Sequence, residues 1–295
     1  MESLERLQGQ RETLDELRTI VKTMKSLSTA SIRQYEQAVV ALADYDRTVE
    51  LGLQAVLRDL PSPPELDHAA RQPASLGVIV FGSDHGLCGR FNEDITDFCL
   101  AWLAERAPPP ASLRLLAVGA RAADNLARAG REVDRVVPLP GSVGRISTMV
   151  QDLLARIDAW QQAGITHVEL FHHRHAGGSR YQPVALTLLP VDLRRFLRRD
   201  APPWPSRRLP SFRMSREALL RRLVGQYLFV SLFRACAESQ ASEHASRRAA
   251  MQAAQRNLDE RIEDVTQGFR RARQAVITAE LLDVVAGFEV VAGER

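Results

Sequence analysis

From about Ser215 to Val291 the chain contains no proline and only three glycines, Gly225, Gly268 and Gly287. Apolar residues recur there at alternating four- and three-residue steps, through Leu258, Ile262, Val265, Phe269, Ala272, Val276 and Ala279. That spacing is the seam of a left-handed coiled coil. Met251 and Ala254 extend it toward the N-terminus with one extra residue of phase slip, which locally unwinds a supercoil. Read as a single helix, the stretch is on the order of 115 Å long at ~1.5 Å per residue, so its seam needs covering. A matching pattern lies at the other end of the chain. Leu4 and Leu7 begin it, and Leu14, Leu17, Val21, Met24, Ser28, Ser31, Tyr35, Ala38, Leu42, Tyr45, Val49, Gly52 and Val56 continue it by threes and fours. This helix is predicted from Leu4 to Leu57, ending before Pro61-Ser-Pro-Pro, where proline removes donors and restricts its predecessor. Pairing within the chain satisfies both seams most economically. Ser28 and Ser31 are small enough to let the helices approach closely and can bond the preceding turn.

Between the two helices the period changes. Leu76 to Gly82 is a short apolar, β-branched run that reads as a strand buried on both faces. Ser83 to Gly89 is a glycine-bearing turn, and Asn92 or a neighbour is placed to cap a helix through about Glu105. A second strand is predicted over Leu113 to Gly119, and a short helix over Ala120 to Ala129, closed by Gly130. A third helix follows over Arg145 to Gln162. Thr166 to His172 and Gln182 to Leu189 read as paired strands across a turn containing Gly177 and Gly178. The fold class is therefore α/β: a long coiled coil of the terminal helices plus a small, mainly parallel, Rossmann-like α/β domain with a hairpin at one edge. The predicted divisions are 1–60, 74–192 and 214–295.

Composition narrows the picture only a little. The net charge of +3 over 295 residues is slight, so no nucleic-acid partner is inferred. Cys88, Cys99 and Cys236 have no metal-ligand or redox spacing, and the N-terminus reads as acidic rather than as a targeting segment. No apolar run approaches the roughly 20 residues needed to span a bilayer, and the chain is expected to be soluble by itself.

Gly82, Gly86 and Gly89 sit between a strand and a helix, where a doubly wound sheet can cradle phosphate. Their spacing matches neither G-x-G-x-x-G nor the Walker A loop, and a structural turn is the simpler reading. Ser83, Asp84 and His85 are catalytic residue types, but neighbours on a turn need not point at one another. Cys88 reads as a buried thiol or as a nucleophile at a helix terminus. His172, His173 and His175 could hold a transition metal if they converged; a polar hairpin tip is the plainer alternative. The arginines at 194, 195, 198, 199, 207 and 208 fit a solvated loop, an acidic protein, nucleic acid or acidic headgroups. From Leu281 to Val291 apolar residues cover most of the helix circumference, which calls for a partner that wraps this end.

Several stretches together carry a family resemblance. Ser242-Glu-His-Ala-Ser-Arg-Arg-Ala-Ala-Met-Gln-Ala-Ala, Ile262-Glu-Asp, Ala272-Arg-Gln-Ala-Val-Ile-Thr278 and Glu280 to Gly287 form a C-terminal signature. Ile20-Val-Lys-Thr-Met-Lys and Ala30-Ser-Ile-Arg33 form an N-terminal one, with Ser83 to Gly89, Pro183 and Leu188-Leu-Pro190 between them. In this order the chain resembles the γ subunit of F-type ATP synthases from end to end. The resemblance implies an antiparallel coiled coil that turns inside a ring of α and β subunits, with the α/β domain against the ε subunit and the c-subunit ring, peripheral to the membrane. It implies no catalytic residues, cofactor or metal on this chain, and a place on the cytoplasmic face of the bacterial inner membrane. It further implies that Lys22, Met24 and Lys25 face the β subunits' acidic lever. Arg247, Gln274 and Thr278 are implied to meet β loops, and Leu281, Leu282, Val285 and Phe288 to run in an apolar sleeve. Asp84, Gly86, Cys88 and Gly89 are the implied turn motif. Departures at Ser28, Thr29, Ser31, His85 and Arg90, and a longer charged tail past Gly287, point to a divergent or second bacterial copy. A coiled-coil scaffold unrelated to ATPases and a nucleotide-binding α/β enzyme remain the competing readings.

An unpaired charge in the seam tests the coiled coil. Val265→Asp or Phe269→Asp is expected to cost several (~3) kcal/mol and to block assembly. Thermal unfolding and co-purification with partner subunits check this, and unchanged unfolding in both variants contradicts the seam.

Overall fold

The structure is a computed structural model of the chain, and it describes residues 4–58, 75–106, 113–177, 180–197, 204 and 211–293, with side chains to 285. The elements run α1 (Leu4–Leu57), β1 (Leu76–Phe81), α2 (Phe91–Arg106), β2 (Leu113–Val118), α3 (Ala120–Arg128), β3 (Arg135–Val137), α4 (Ile146–Gln162), β4 (His167–His175), β5 (Tyr181–Leu189) and α5 (Arg216–Gly293). Short 3-10 turns occupy Val143–Arg145 and Leu193–Leu197. The chain divides into two compact units, one of residues 1–27 with 248–295 and the other of residues 28–247. Both long helices contribute to each unit.

In the first unit the helices run antiparallel. Arg18 pairs with Asp259 at 3.2 Å, Lys25 Nζ donates to Gln255 Oε1 at 2.7 Å, and Arg11 lies 5.9 Å from the Phe269 ring centre. Met251, Ala254, Leu258, Ile262, Val265, Phe269 and Ala272 are buried or half-buried, matching the expected seam. Val276 and Ala279 are exposed.

In the larger unit the order β3-β2-β1-β4-β5 gives a sheet that is parallel except for the β4–β5 hairpin. Alternation along β1 divides the core. Ile79 and Phe81 face a cluster with α4 and the long helices, which includes Met149, Leu153, Val49, Leu53 and Leu228. Val78 and Val80 face a second cluster with Ile95, Leu103, Ala122 and Leu126 of α2 and α3. Both faces are thus covered, as a parallel sheet requires.

Three expectations are corrected here. The α1 seam in this unit buries Ser28, Ile32, Tyr35, Asp46, Val49, Leu53 and Val56, so every second step falls one residue later than the apolar pattern placed it. Tyr45 is 45% exposed, and the polar Asp46 takes the core position by holding the Arg234 guanidinium. Asn92 does not cap α2. It lies inside the first turn, and its side chain accepts from the Ser83 N–H at 2.9 Å. His172 and His173 are buried and His175 is half-buried, so the three do not form a polar hairpin tip. His173 Nε2 lies 2.8 Å from the Phe91 carbonyl, His172 is 3.4 Å from Glu238, and His175 is 2.9 Å from Glu36. Among the described residues no cluster has the geometry to hold a metal.

Gly119 has φ 104 and stands where a Cβ would come within 2.8 Å of the Ser83 backbone. Gly119→Ala is expected to destabilise by about 2–3 kcal/mol, measured by urea unfolding.

Candidate functional site

The turn after β1 is built from its own side chains. Ser83, fully buried, donates its hydroxyl to the His85 carbonyl oxygen at 2.7 Å and accepts from Asn92 Nδ2 at 2.8 Å. Asp84 Oδ1 accepts from the Ala120 N–H at 3.0 Å and Oδ2 from the Leu139 N–H at 2.8 Å. A carboxylate therefore already occupies the N-terminus of α3, where a phosphate would otherwise bind. Ser83, Asp84 and His85 do not converge into a catalytic array. Cys88 is buried, and burial, the largest effect, raises its thiol above the usual range. That makes it a poor nucleophile.

Helix α5 docks into this turn. Ser246 Oγ donates to the Cys88 carbonyl oxygen at 2.5 Å and lies 3.3 Å from the Tyr181 hydroxyl. Gly89, at φ 58, leaves space there: a Cβ would stand 3.3 Å from Ser246 Oγ. Arg247 donates to Glu243 Oε1 at 2.6 Å and reaches the Gly86 carbonyl at 3.4 Å. Burial pushes the Glu243 carboxyl up, and the Arg247 guanidinium pulls it partway back. His244 stacks on Tyr35 with ring centres 5.8 Å apart, and burial lowers its imidazole to about 4. Gly86, Cys88 and Gly89 thus meet Arg247 and Ser246 in one place, while Asp84 ties the same turn to the amides of Ala120 and Leu139. Glu243 and Ser246 complete the site. The signal that marks them is the run of alanines and serines from Ala235 to Ser246, which is what a helix surrounded on all sides requires.

The remaining predicted contact residues lie in the smaller unit. Lys22 is exposed, while Met24 and Lys25 are half-buried along α1. Gln274 and Thr278 are exposed, and the Thr278 hydroxyl donates to the Gln274 carbonyl at 2.9 Å. Leu281, Leu282 and Val285 are exposed at 61%, 63% and 53%. Phe288 falls within α5, with its side chain outside the described residues. Every residue from 273 to 285 is exposed.

Two long terminal helices, a Rossmann-like sheet domain between them in sequence, a turn closed by its own side chains and a bare apolar stretch on α5 define a coiled-coil interaction protein rather than a phosphate-binding enzyme. A family model described as ATP synthase matches residues 3–291, and the chain belongs to that family. Among curated relatives, the ATP synthase gamma chain of Bdellovibrio bacteriovorus is 27% identical over 301 residues, covering 99% of this chain and 100% of the relative. The gamma chain of Anaeromyxobacter dehalogenans is 30% identical over 296 residues, covering 98% and 99%. Among solved structures, a chain of the Euglena gracilis mitochondrial ATP synthase aligns with a TM-score of 0.67 at 18% identity, covering 99% of this chain and 96% of that one. A chain of the Tetrahymena thermophila central stalk aligns with a TM-score of 0.57 at 20% identity, covering 80% and 99%. These two show the same fold.

Two outcomes follow from the docked helix. Arg247→Ala strands a buried carboxyl and is expected to cost about 3 kcal/mol at neutral pH, and adding Glu243→Gln is expected to recover most of that in a double-mutant cycle. His173, fully buried, is lowered by burial from 6.5 to about 4. The unfolded imidazole takes a proton near pH 6.5 that the folded one refuses until about 4. Stability is therefore present above that window and lost as pH falls through it, by about 3 kcal/mol at its lower end. Urea unfolding on both sides of the window is expected to give a steeper loss in the native chain than in His173→Gln.

Proposed function

We infer that this chain is the non-catalytic central-stalk rotor subunit of a rotary F-type ATP synthase, coupling ion translocation to ATP synthesis or hydrolysis on the β subunits. The observation that carries the inference is a family match that takes in both long helices and the sheet between them. Catalysis resides in the partner subunits, and this chain contributes shape. A rod without three-fold symmetry makes different contacts with each β site, and such differential contact is what biases a set of states. The partners are the α and β subunits of the catalytic ring, the ε subunit and the c-subunit ring.

Lys22, Met24 and Lys25 are assigned to the acidic lever of β, and Gln274 and Thr278 to its loops. Leu281, Leu282, Val285 and Phe288 are assigned to an apolar sleeve at the end of the ring. The half-buried or exposed state of the first five, and the exposure of Leu281, Leu282 and Val285, supports this. Arg247, committed to Glu243 and Gly86, is assigned to holding α5 in its socket, with any β contact made from there. The division 1–60, 74–192 and 214–295 then separates the axle helices from the domain that meets ε and the c ring. The complex is placed at the cytoplasmic face of a bacterial inner membrane, in keeping with the bacterial sources of the relatives. Among the described residues no helix is long and apolar enough to cross a membrane.

The test is MgATP hydrolysis by the chain mixed with purified cognate α and β subunits, against each component alone. Turnover that appears only in the mixture, with the chain in the isolated complex, is the expected result. Absence of both complex and stimulation with folded partners overturns the reading.

A further inference from the structure

Three acidic side chains of α1 each hold a basic group from a different element of the larger unit. Glu36 Oε1 lies 2.9 Å from His175 Nε2 on β4. Asp46, buried at a seam position, binds the guanidinium of Arg234 on α5. Glu50 Oε1 lies 3.5 Å from Arg195 Nη2 in the 3-10 turn after β5. Arg195 in turn donates to the Tyr227 hydroxyl of α5 at 2.7 Å, with its guanidinium 4.6 Å from that ring centre and 4.7 Å from Phe196.

Around these links the buried residues of α1 are mostly apolar, Ile32, Val49, Leu53 and Val56, and one neutral hydrogen bond joins α1 to α5, from the Tyr45 hydroxyl to Gln226 Oε1 at 2.6 Å. Apolar contact is non-directional. It opposes separation of two helices strongly, and opposes turning or sliding of one along the other much less. A charged hydrogen bond has fixed geometry and is lost on a displacement of about 1 Å. An acid at a seam position stabilises less than an apolar residue would there, and the best-attested return for that cost is a fixed register.

We propose that Glu36, Asp46 and Glu50 are keys that lock α1 to the sheet and to α5 against turning, and so are positioning residues for mechanical coupling. The proposal rests on the rotor reading. Under load, the apolar seam keeps the helices together while the three pairs stop α1 from slipping. The loss of all three therefore separates hydrolysis from transport without dismantling the fold.

The test uses E36Q/D46N/E50Q, which keeps side-chain size and leaves Arg234 and Arg195 in contact with solvent. In the assembled complex, ATP hydrolysis is expected to stay within about twofold of the native chain, while ions moved per ATP fall by about fivefold or more, most steeply against an opposing gradient. An unchanged ratio with full incorporation overturns the proposal. A second readout needs no partner. A Cβ on Gly52 would stand 3.0 Å from Leu223 Cδ2, so G52C/L223C reports the register of α1 against α5. In the isolated full chain this pair is expected to oxidise about tenfold more slowly when the keys are removed. An equal rate overturns the keys whatever the complex does. If the native chain supports no coupled transport, the rotor reading falls, and the oxidation rate still decides the keys. Should the triple variant not fold, D46R/R234D replaces it: oxidation at the native rate supports the keys, and a rate as slow as that of D46R alone overturns them.

Discussion

The enclosure of one stretch of α5 is the constraint on which the larger unit depends. From Val230 to Arg247 this helix is covered by α1 on one side and by the sheet domain on others, and a run of small side chains makes room for that. Ala235, Cys236, Ala237, Ser239, Ala241, Ser242, Ala245 and Ser246 are all buried. A helix satisfies its own backbone groups, so enclosure costs nothing there. Its polar side chains do need partners, and the turn after β1 supplies those of Ser246 and Arg247 through the carbonyls of Cys88 and Gly86, while Ser242 uses the Glu238 carbonyl of its own helix. The glycines of that turn therefore belong to helix docking. Gly82 leaves room for Ala122, and Gly89 leaves room for Ser246.

Glycine spacing after a strand, followed by a helix, is shared by phosphate cradles and by turns that admit a second helix. What separates them is where the backbone N–H groups point. In this chain Asp84 takes the amides of Ala120 and Leu139. Asn92 and Ser83 use one another, and the carbonyls that remain face α5. The site is thus closed by its own chain, and its chemistry is that of a socket.

Much of this was legible in the residues. The bounds of α1 follow from an uninterrupted three-four repeat ending before prolines, and β1 and β2 from short β-branched runs between glycine turns. The C-terminal seam from Met251 to Ala272 is read correctly because its members are apolar. On α1 the repeat was misplaced by one residue at alternate steps because Asp46 occupies the core while Tyr45 offers a larger apolar body to the eye. Strand β3 is three residues long, Arg135-Val-Val, too short for any period to show. The turn was found as a motif. Its role was hidden because Ser246 lies 158 residues from Cys88, and no local pattern records a bond across that distance. The histidines of β4 read as polar surface for the same reason: Glu36, Glu238 and the Phe91 carbonyl come from other parts of the chain.

The bare end of α5 has a consequence for how such a chain is made. Val276, Ile277, Leu281, Leu282, Val284 and Val285 are all exposed, and an exposed apolar surface of that kind adheres to whatever apolar surface it meets first. Copies synthesised ahead of their partners meet one another. Under the proposed rotor reading, supply must then be matched to that of the subunits assigned to this end, with an unmatched excess lost to association of like with like. On that reading the bare end of α5 also sets the order and proportion in which a cell can produce the chain.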